Sequence, residues 1–206
     1  MAVSASPTND LNVQNEMNQF RNKTPGLNPK ALQTSLEAYS KAEKEGLDHQ
    51  HILTIVDFTK PSTARRLWVL DLNNHTVLFN DYVAHGKNSG DNYARRFSDS
   101  PSSLESSLGV YLTGSTYSGE HGYSLKVKGL DKGFNDRAES RAIVFHKAYY
   151  ATGQFAQEHG RLGRSWGCFA VSPAIADSLF HTIKNGSLVV AYYPDSAWLS
   201  KSQFLS

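Results

Sequence analysis

The chain has a single cysteine in 206 residues, which excludes an internal disulfide. Its charge is nearly balanced: 21 Lys and Arg against 19 Asp and Glu give +2, too little to argue for a nucleic-acid partner. No run approaches the roughly 20 apolar residues of a membrane span. The opening Met1-Ala2-Val3-Ser4-Ala5-Ser6 has neither the basic nor the apolar region of a secretory signal, which taken literally means a cytosolic chain. There is no internal repeat and no low-complexity tract. Nor do Cys, His and carboxylates gather closely enough to supply three or four metal ligands, so no metal or other cofactor is expected.

What is present suffices for one domain with a full core plus an appendage, at 39% hydrophobic residues. Ten Tyr and ten Phe lean towards sheet structure. Residues 1–27 are polar, Asn-rich and broken by Pro25 and Gly26, so a loosely held arm is expected there. Asn28 can cap a helix with Pro29 at its first position. Leu32, Leu36, Tyr39 and Ala42 recur at helical spacing, and Gly46 stops the helix. Strands are predicted at 52–58, 66–72, 76–83, 108–113, 123–128, 142–146, 168–171 and 188–193. Ser172-Pro173 opens a second helix carrying Ile175, Leu179 and Ile183, closed by Asn185-Gly186. The Gly-, Ser- and Asn-rich segment 84–107 is too long for a simple turn and reads as a functional lid or a disordered loop. The whole is mainly β with a few peripheral helices, divided as an arm and N-terminal helix (1–48) and a main domain (49–206).

The lone Cys168 sits in Gly163-Arg164-Ser165-Trp166-Gly167-Cys168, 22 residues after His146. It is either a buried apolar thiol or a nucleophile, and a nucleophile near pH 7 needs a base or a positive neighbour. His146 ends the apolar run Ala142-Ile143-Val144-Phe145, as expected of an imidazole delivered from a strand end. Gly167 permits a tight turn, and the backbone N–H groups around it are candidates for an oxyanion hole. Ser165 orients either that turn or a substrate. Trp166 either stacks on substrate or covers the core, core being the commoner fate. Arg137, Arg141, Lys147, Arg161 and Arg164 gather nearby, as a solvated face or as a receptor for an anionic peptide.

Other constellations compete. Gly163-x-Ser165-x-Gly167 also fits a serine-hydrolase elbow, but no buried strand precedes it, and Asp177 and His181 lie within one helix. His49, His51, His75 and His181 read as solvated or packed. His85, His121 and His159 each precede a glycine and so lie in bends. His159, nine residues before Cys168, is the rival base, though in a loop rather than at a strand end.

The run from His146 through Ser165-Trp166-Gly167-Cys168 resembles the His…Ser-x-Gly-Cys signature of the L,D-transpeptidase (YkuD-like) catalytic domain, in its murein branch. Further matches are Val56-Asp57-Phe58-Thr59-Lys60-Pro61-Ser62, Tyr82 to Gly90, Ser106 to Tyr111 and Gly129 to Asp136, covering roughly residues 50–195. The resemblance implies an L,D-transpeptidase-like β-sandwich and a location in the periplasm or cell envelope, the signal having been removed or replaced. It implies peptidoglycan stem peptides as substrate. Cys168 would attack the third, diaminopimelate residue of a tetrapeptide and expel D-Ala. His146 would be the base, a backbone carbonyl would orient it, and Gly167 and Cys168 would donate to the oxyanion. An amine on a second stem or a lipoprotein, or else water, would resolve the thioester. Three positions depart from the broader pattern: Trp166 where many members carry His, Lys147 where many carry Gly, and Ala170 where many carry Arg or Asn. With Ala170 unable to hold a carboxylate, Arg161 and Arg164, aided by Trp166 and His159, are the candidate substrate contacts.

Overall fold

In a computed structural model the described residues are 12–48, 50–120 and 122–205. His49, His121 and the first eleven residues of the expected arm lie outside them.

The helix expected after Asn28 is α2, Pro29–Lys44, and the Asn28 side chain accepts from the Lys30 N–H at 2.9 Å. Its Leu32, Leu36, Tyr39 and Ala42 are buried against β1 (Ile52–Asp57) and β9 (Leu188–Tyr192). Part of the arm is not loose, contrary to expectation. Val13–Phe20 forms α1, whose Asn12 cap accepts from the Asn15 N–H at 3.0 Å. Val13, Met17 and Phe20 share one face, which packs on the core beside α2. Three apolar residues at helical spacing outweigh a high Asn content when a partner helix is there to cover them.

The remaining strands are β2 (Leu67–Asp71), β3 (Thr76–Asp81), β4 (Val83–Ala84), β5 (Gly109–Gly119), β6 (Gly122–Gly129), β7 (Val144–Lys147) and β8 (Phe169–Val171). They hydrogen-bond as one nine-stranded sheet in the order β3-β2-β1-β9-β5-β6-β7-β8-β4. β1 pairs with β9, and β7 with β8, in parallel; every other pair is antiparallel. The two edge strands, β3 and β4, are separated in sequence only by Tyr82. One residue spans only about 3.5 Å. The sheet must therefore curl until its edges meet, giving a mainly β, nearly closed barrel. Phe58, Tyr111, Phe145, Phe169 and Phe180 are buried together in its main core cluster.

Two short helices were not predicted. α3, Gly153–His159, is capped by Thr152, and α5, Ser196–Lys201, by Asp195; the second helix expected from the sequence is α4, Pro173–Ile183. α5 docks through a polar clamp. The fully buried Asp131 carboxylate accepts from Val110 N–H (2.8 Å), Trp198 Nε1–H (3.1 Å) and Ser202 Oγ–H (2.6 Å). The Asp131 N–H in turn donates to Asn135 Oδ1, and Asn135 Nδ2 donates to the Val110 carbonyl. This accounts for the Gly129–Asp136 run as scaffold rather than chemistry. Asp131→Ala would strand three donors inside the core, so it is expected to cost about 3 kcal/mol or more. Urea unfolding measures this; a loss below about 1 kcal/mol would mean the clamp is dispensable.

Candidate active site

β7 and β8 run parallel, with Phe145 opposite Phe169 and His146 opposite Ala170. Extending that register by one residue sets Cys168 across from Val144. Val144 and His146, two apart on β7, point to the same face, about 6.6 Å apart along the strand. The sequence separation of 22 residues thus closes into neighbouring positions of one sheet. Phe145 and Phe169 turn inward and stack at 4.7 Å, which holds the register.

His146 is buried. It belongs to a cross-strand row, Ala84–Ala170–His146–Ser124, in which its neighbours are small. Ala148, Ala151, Ala156 and Leu162, with Tyr82 and Tyr150 packed against them, form a small second cluster with Ala84 and Ala170, so the segment 148–162 covers this end of the sheet. His146 Nδ1 lies 3.2 Å from the Lys147 carbonyl. A carbonyl can only accept, so this contact puts the proton on Nδ1 and makes Nε2 the acceptor nitrogen.

The cysteine turn is held by Ser165. Its Oγ–H donates to the Cys168 carbonyl at 2.7 Å and its oxygen accepts from the Gly167 N–H at 3.1 Å. The Gly167 N–H, expected to face an oxyanion, is therefore committed to the turn. The reason is local: the hydroxyl two residues earlier reaches it before any substrate does. Gly167 is required on two counts. Its φ is +118°, and a Cβ there would lie 2.7 Å from the Glu105 carbonyl oxygen and 3.2 Å from Arg141 Nη2. Around the thiol, Cys168 Sγ lies 3.6 Å from the Ala142 carbonyl, within reach of an S–H bond. Burial pushes the Cys168 thiol up, while the Val144 N–H and the Arg141 charge pull it down. Tyr150, which no sequence pattern marked, also senses the thiolate: burial first, then the Cys168 charge, push its phenol up to about 12.

The segment 84–107 is not a disordered loop. Its Ser89, Ala94 and Ser106 are buried, and it is sewn to the cysteine turn: Lys87 N–H to the Ser165 carbonyl (2.8 Å), Ser165 N–H to the His85 carbonyl (3.0 Å). Arg164 Nη1 donates to the Gly90 carbonyl at 3.1 Å and lies 3.5 Å from Asp91; Arg161 Nε lies 2.7 Å from the same carboxylate. Both candidate anchors thus contact this segment, through an Asp91 side chain that is itself largely exposed. Ser62 adds a further tie, its hydroxyl accepting from Leu162 N–H at 3.0 Å. Trp166 does not cover the core; it is 76% exposed. His159 ends α3 rather than lying in a loop, stacks on Phe155 at 3.9 Å, and its Nδ1 is 3.0 Å from the Phe155 carbonyl. Because that helix precedes Gly163, the strand needed for a serine-hydrolase elbow is missing there. Asp177 and His181 both sit exposed on α4.

His85 is buried, its Nδ1 accepting from Arg66 Nη2 at 2.7 Å. Burial, then the Arg66 charge, lower its pKa from 6.5 to about 3. As pH falls through 6.5 the unfolded chain gains a proton that the native imidazole refuses. Stability is therefore expected to drop between pH 6.5 and 3, by at most about 1.4 kcal/mol per pH unit from this group. Chemical unfolding at successive pH values checks this: His85→Asn, which retains an acceptor for Arg66, should flatten the slope in that window.

A cavity of about 520 Å³ lies elsewhere, lined by Phe97, Asp99, Leu108, Phe134 and Arg137 among others. Among the described residues no group of three or more His, Cys, Asp or Glu side chains could hold a metal ion, and no helix is long and apolar enough to cross a membrane.

Among curated proteins no significant match is found. Solved structures that resemble the chain include an L,D-transpeptidase from Mycobacterium smegmatis, at 13% identity and TM-score 0.43 over 69% of this chain and 59% of that one. Another, from Stackebrandtia nassauensis, matches at 13% identity and TM-score 0.42 over 87% and 77%. L,D-transpeptidase 3 from Mycobacterium tuberculosis matches at 12% and 0.43 over 69% and 61%. The chain thus spans about three fifths of the first and third of these. Identities this low leave residue roles to the chain's own geometry. The family model described as L,D-transpeptidase catalytic domain matches residues 23–192, most of the sequence, and the chain belongs to that family.

Proposed function

We propose that the chain is a peptidoglycan-processing cysteine acyl transferase, a murein L,D-transpeptidase acting in the periplasm or cell envelope. The observation that carries this reading is the β7–β8 register, which sets Cys168 beside the strand that bears His146. In the proposed reaction His146 Nε2 takes the thiol proton and Cys168 Sγ attacks the carbonyl of the third residue of a tetrapeptide stem. The Cys168 N–H faces the oxyanion, as the one donor of the expected pair not bound to Ser165. Collapse breaks the C–N bond, the imidazolium protonates the departing D-Ala amine, and a thioester remains. An amine on a second stem or a lipoprotein then attacks the thioester, the thiol leaves, and a new amide forms. Water in the same place would make the enzyme an L,D-carboxypeptidase or endopeptidase.

Arg161 and Arg164 are proposed to meet the stem's carboxylates by exchanging the exposed Asp91 for substrate, a role their planar forks suit. Trp166 would lie over the bound peptide. Intact-mass spectrometry after incubation with a carbapenem or a murein tetrapeptide tests the reading. A covalent adduct on Cys168 is expected. Tight binding of stem peptide without any adduct would instead identify a non-catalytic peptidoglycan-binding domain.

A further inference from the structure

Of the five basic residues near the cysteine motif, Arg141 alone is almost fully buried, its side chain 4% exposed against 25% and 30% for Arg164 and Arg161. Its guanidinium reaches four acceptors in the segment 98–107. Nη1 donates to the Ser98 carbonyl (2.8 Å) and Ser107 Oγ (2.5 Å); Nη2 donates to Ser103 Oγ (3.1 Å) and the Glu105 carbonyl (2.7 Å). Four neutral acceptors satisfy the fork without cancelling its charge. The one carboxylate beside it, Asp99, stands at 3.5 Å, and burial pushes that carboxyl up. The guanidinium also touches the cysteine turn, since Nη2 and the Glu105 carbonyl are among the three atoms that fill the space beside Gly167. The next residue, Ala142, takes a φ of +53° and turns its carbonyl to Cys168 Sγ.

We propose that Arg141 is a positioning residue for Cys168: it clamps the 98–107 segment against the cysteine turn, and its buried charge supplies the positive potential in which the thiolate forms. The inference rests on Cys168 being the nucleophile. In the resting thiol the S–H points to the Ala142 carbonyl; once the proton has gone, that carbonyl repels the sulfur and no longer helps. The Val144 N–H and Arg141 are then what favours the anion. A cation that forms no bond to sulfur acts through its field, and in a buried site that field is screened far less than at a surface. This is why Arg141, rather than the more exposed Arg161 or Arg164, is assigned the role.

The charged and titratable groups around the thiol are Arg141 from the turn before β7, Tyr150 after it and, on the same face of the sheet, His146 on β7, with Asp99 3.5 Å from Arg141. The test is the pH dependence of Cys168 alkylation by iodoacetamide in the full chain, followed by intact mass. His146 and Tyr150 are common to every variant, so differences from the parent isolate Arg141. Arg141→Gln is expected to raise the midpoint by about one pH unit, roughly tenfold less thiolate at a fixed pH below it. Arg141→Lys keeps the charge but not the fork, and should restore most of the midpoint while remaining less stable to heat. Should Arg141→Gln not fold, Asp99→Asn removes the neighbouring negative charge and should lower the midpoint. A folded Arg141→Gln protein with an unmoved midpoint would overturn the proposal, as would an unmoved midpoint in Asp99→Asn if the first variant cannot be made. Carbapenem acylation of the parent is measured alongside. If the midpoints shift but no adduct forms, the transferase reading fails and the electrostatic role of Arg141 stands; an adduct with unmoved midpoints gives the reverse.

Discussion

Cys168→Ala is expected to abolish covalent acylation by carbapenem and turnover of tetrapeptide, a loss of at least about 10⁴-fold, because a covalent mechanism has no path without its nucleophile. The fold should be nearly indifferent. Ser165 makes its two turn bonds to the backbone of Gly167 and Cys168, so they survive the substitution, and the sulfur's contact with Ala142 is a weak one at 3.6 Å. The thermal midpoint should therefore move little. Full activity in a clean Cys168→Ala preparation would move the nucleophile to Ser165. That hydroxyl already donates to the Cys168 carbonyl, so such a result would also require the turn to open.

His146→Ala should slow acylation by about 10² to 10⁴, the usual worth of a general base, and His159→Ala should do far less. The difference is geometric. His146 lies two residues along β7 from the position across from Cys168, and its Nδ1 contact fixes the tautomer. His159 is held at the end of α3 by Phe155, through both ring stacking and its Nδ1 contact. Single-turnover acylation rates of the two variants decide the matter. Should the penalties come out reversed, His159 is the base, and α3 must move to deliver it.

The limits of the sequence reading show best in particular residues. Asn28 with Pro29, and Ser172 with Pro173, announced α2 and α4 because capping is a contact between near neighbours, complete within three residues. The strand runs were legible for a similar reason: a two-sided apolar run has few places to go but a buried sheet. α1 was misread because its apolar residues matter only once α2 is there to cover them. α3 and α5 are short, and depend on Thr152 and Asp195 caps that look like ordinary loop residues. Trp166 was open between covering the core and meeting a substrate, and only the folded turn, with the side chain 76% exposed, removes the first of these.

From the amino-acid order came the candidate pair: a unique cysteine behind Ser-x-Gly, and a histidine closing an apolar run. Residue type and short spacing carry reactivity, so that much was readable without coordinates. Only the folded chain decided what surrounds the pair. A count of charges placed Arg141, Arg161 and Arg164 in one basic cluster. The tertiary structure separated them, burying Arg141 on four neutral acceptors and leaving the other two half-exposed on Asp91. His85, one of three ambiguous histidines, became a neutral acceptor for Arg66 for the same reason. Burial and long-range partners set how strongly a charge is felt, and both come from segments 19 to 77 residues away in sequence, brought together only when the sheet curls on itself.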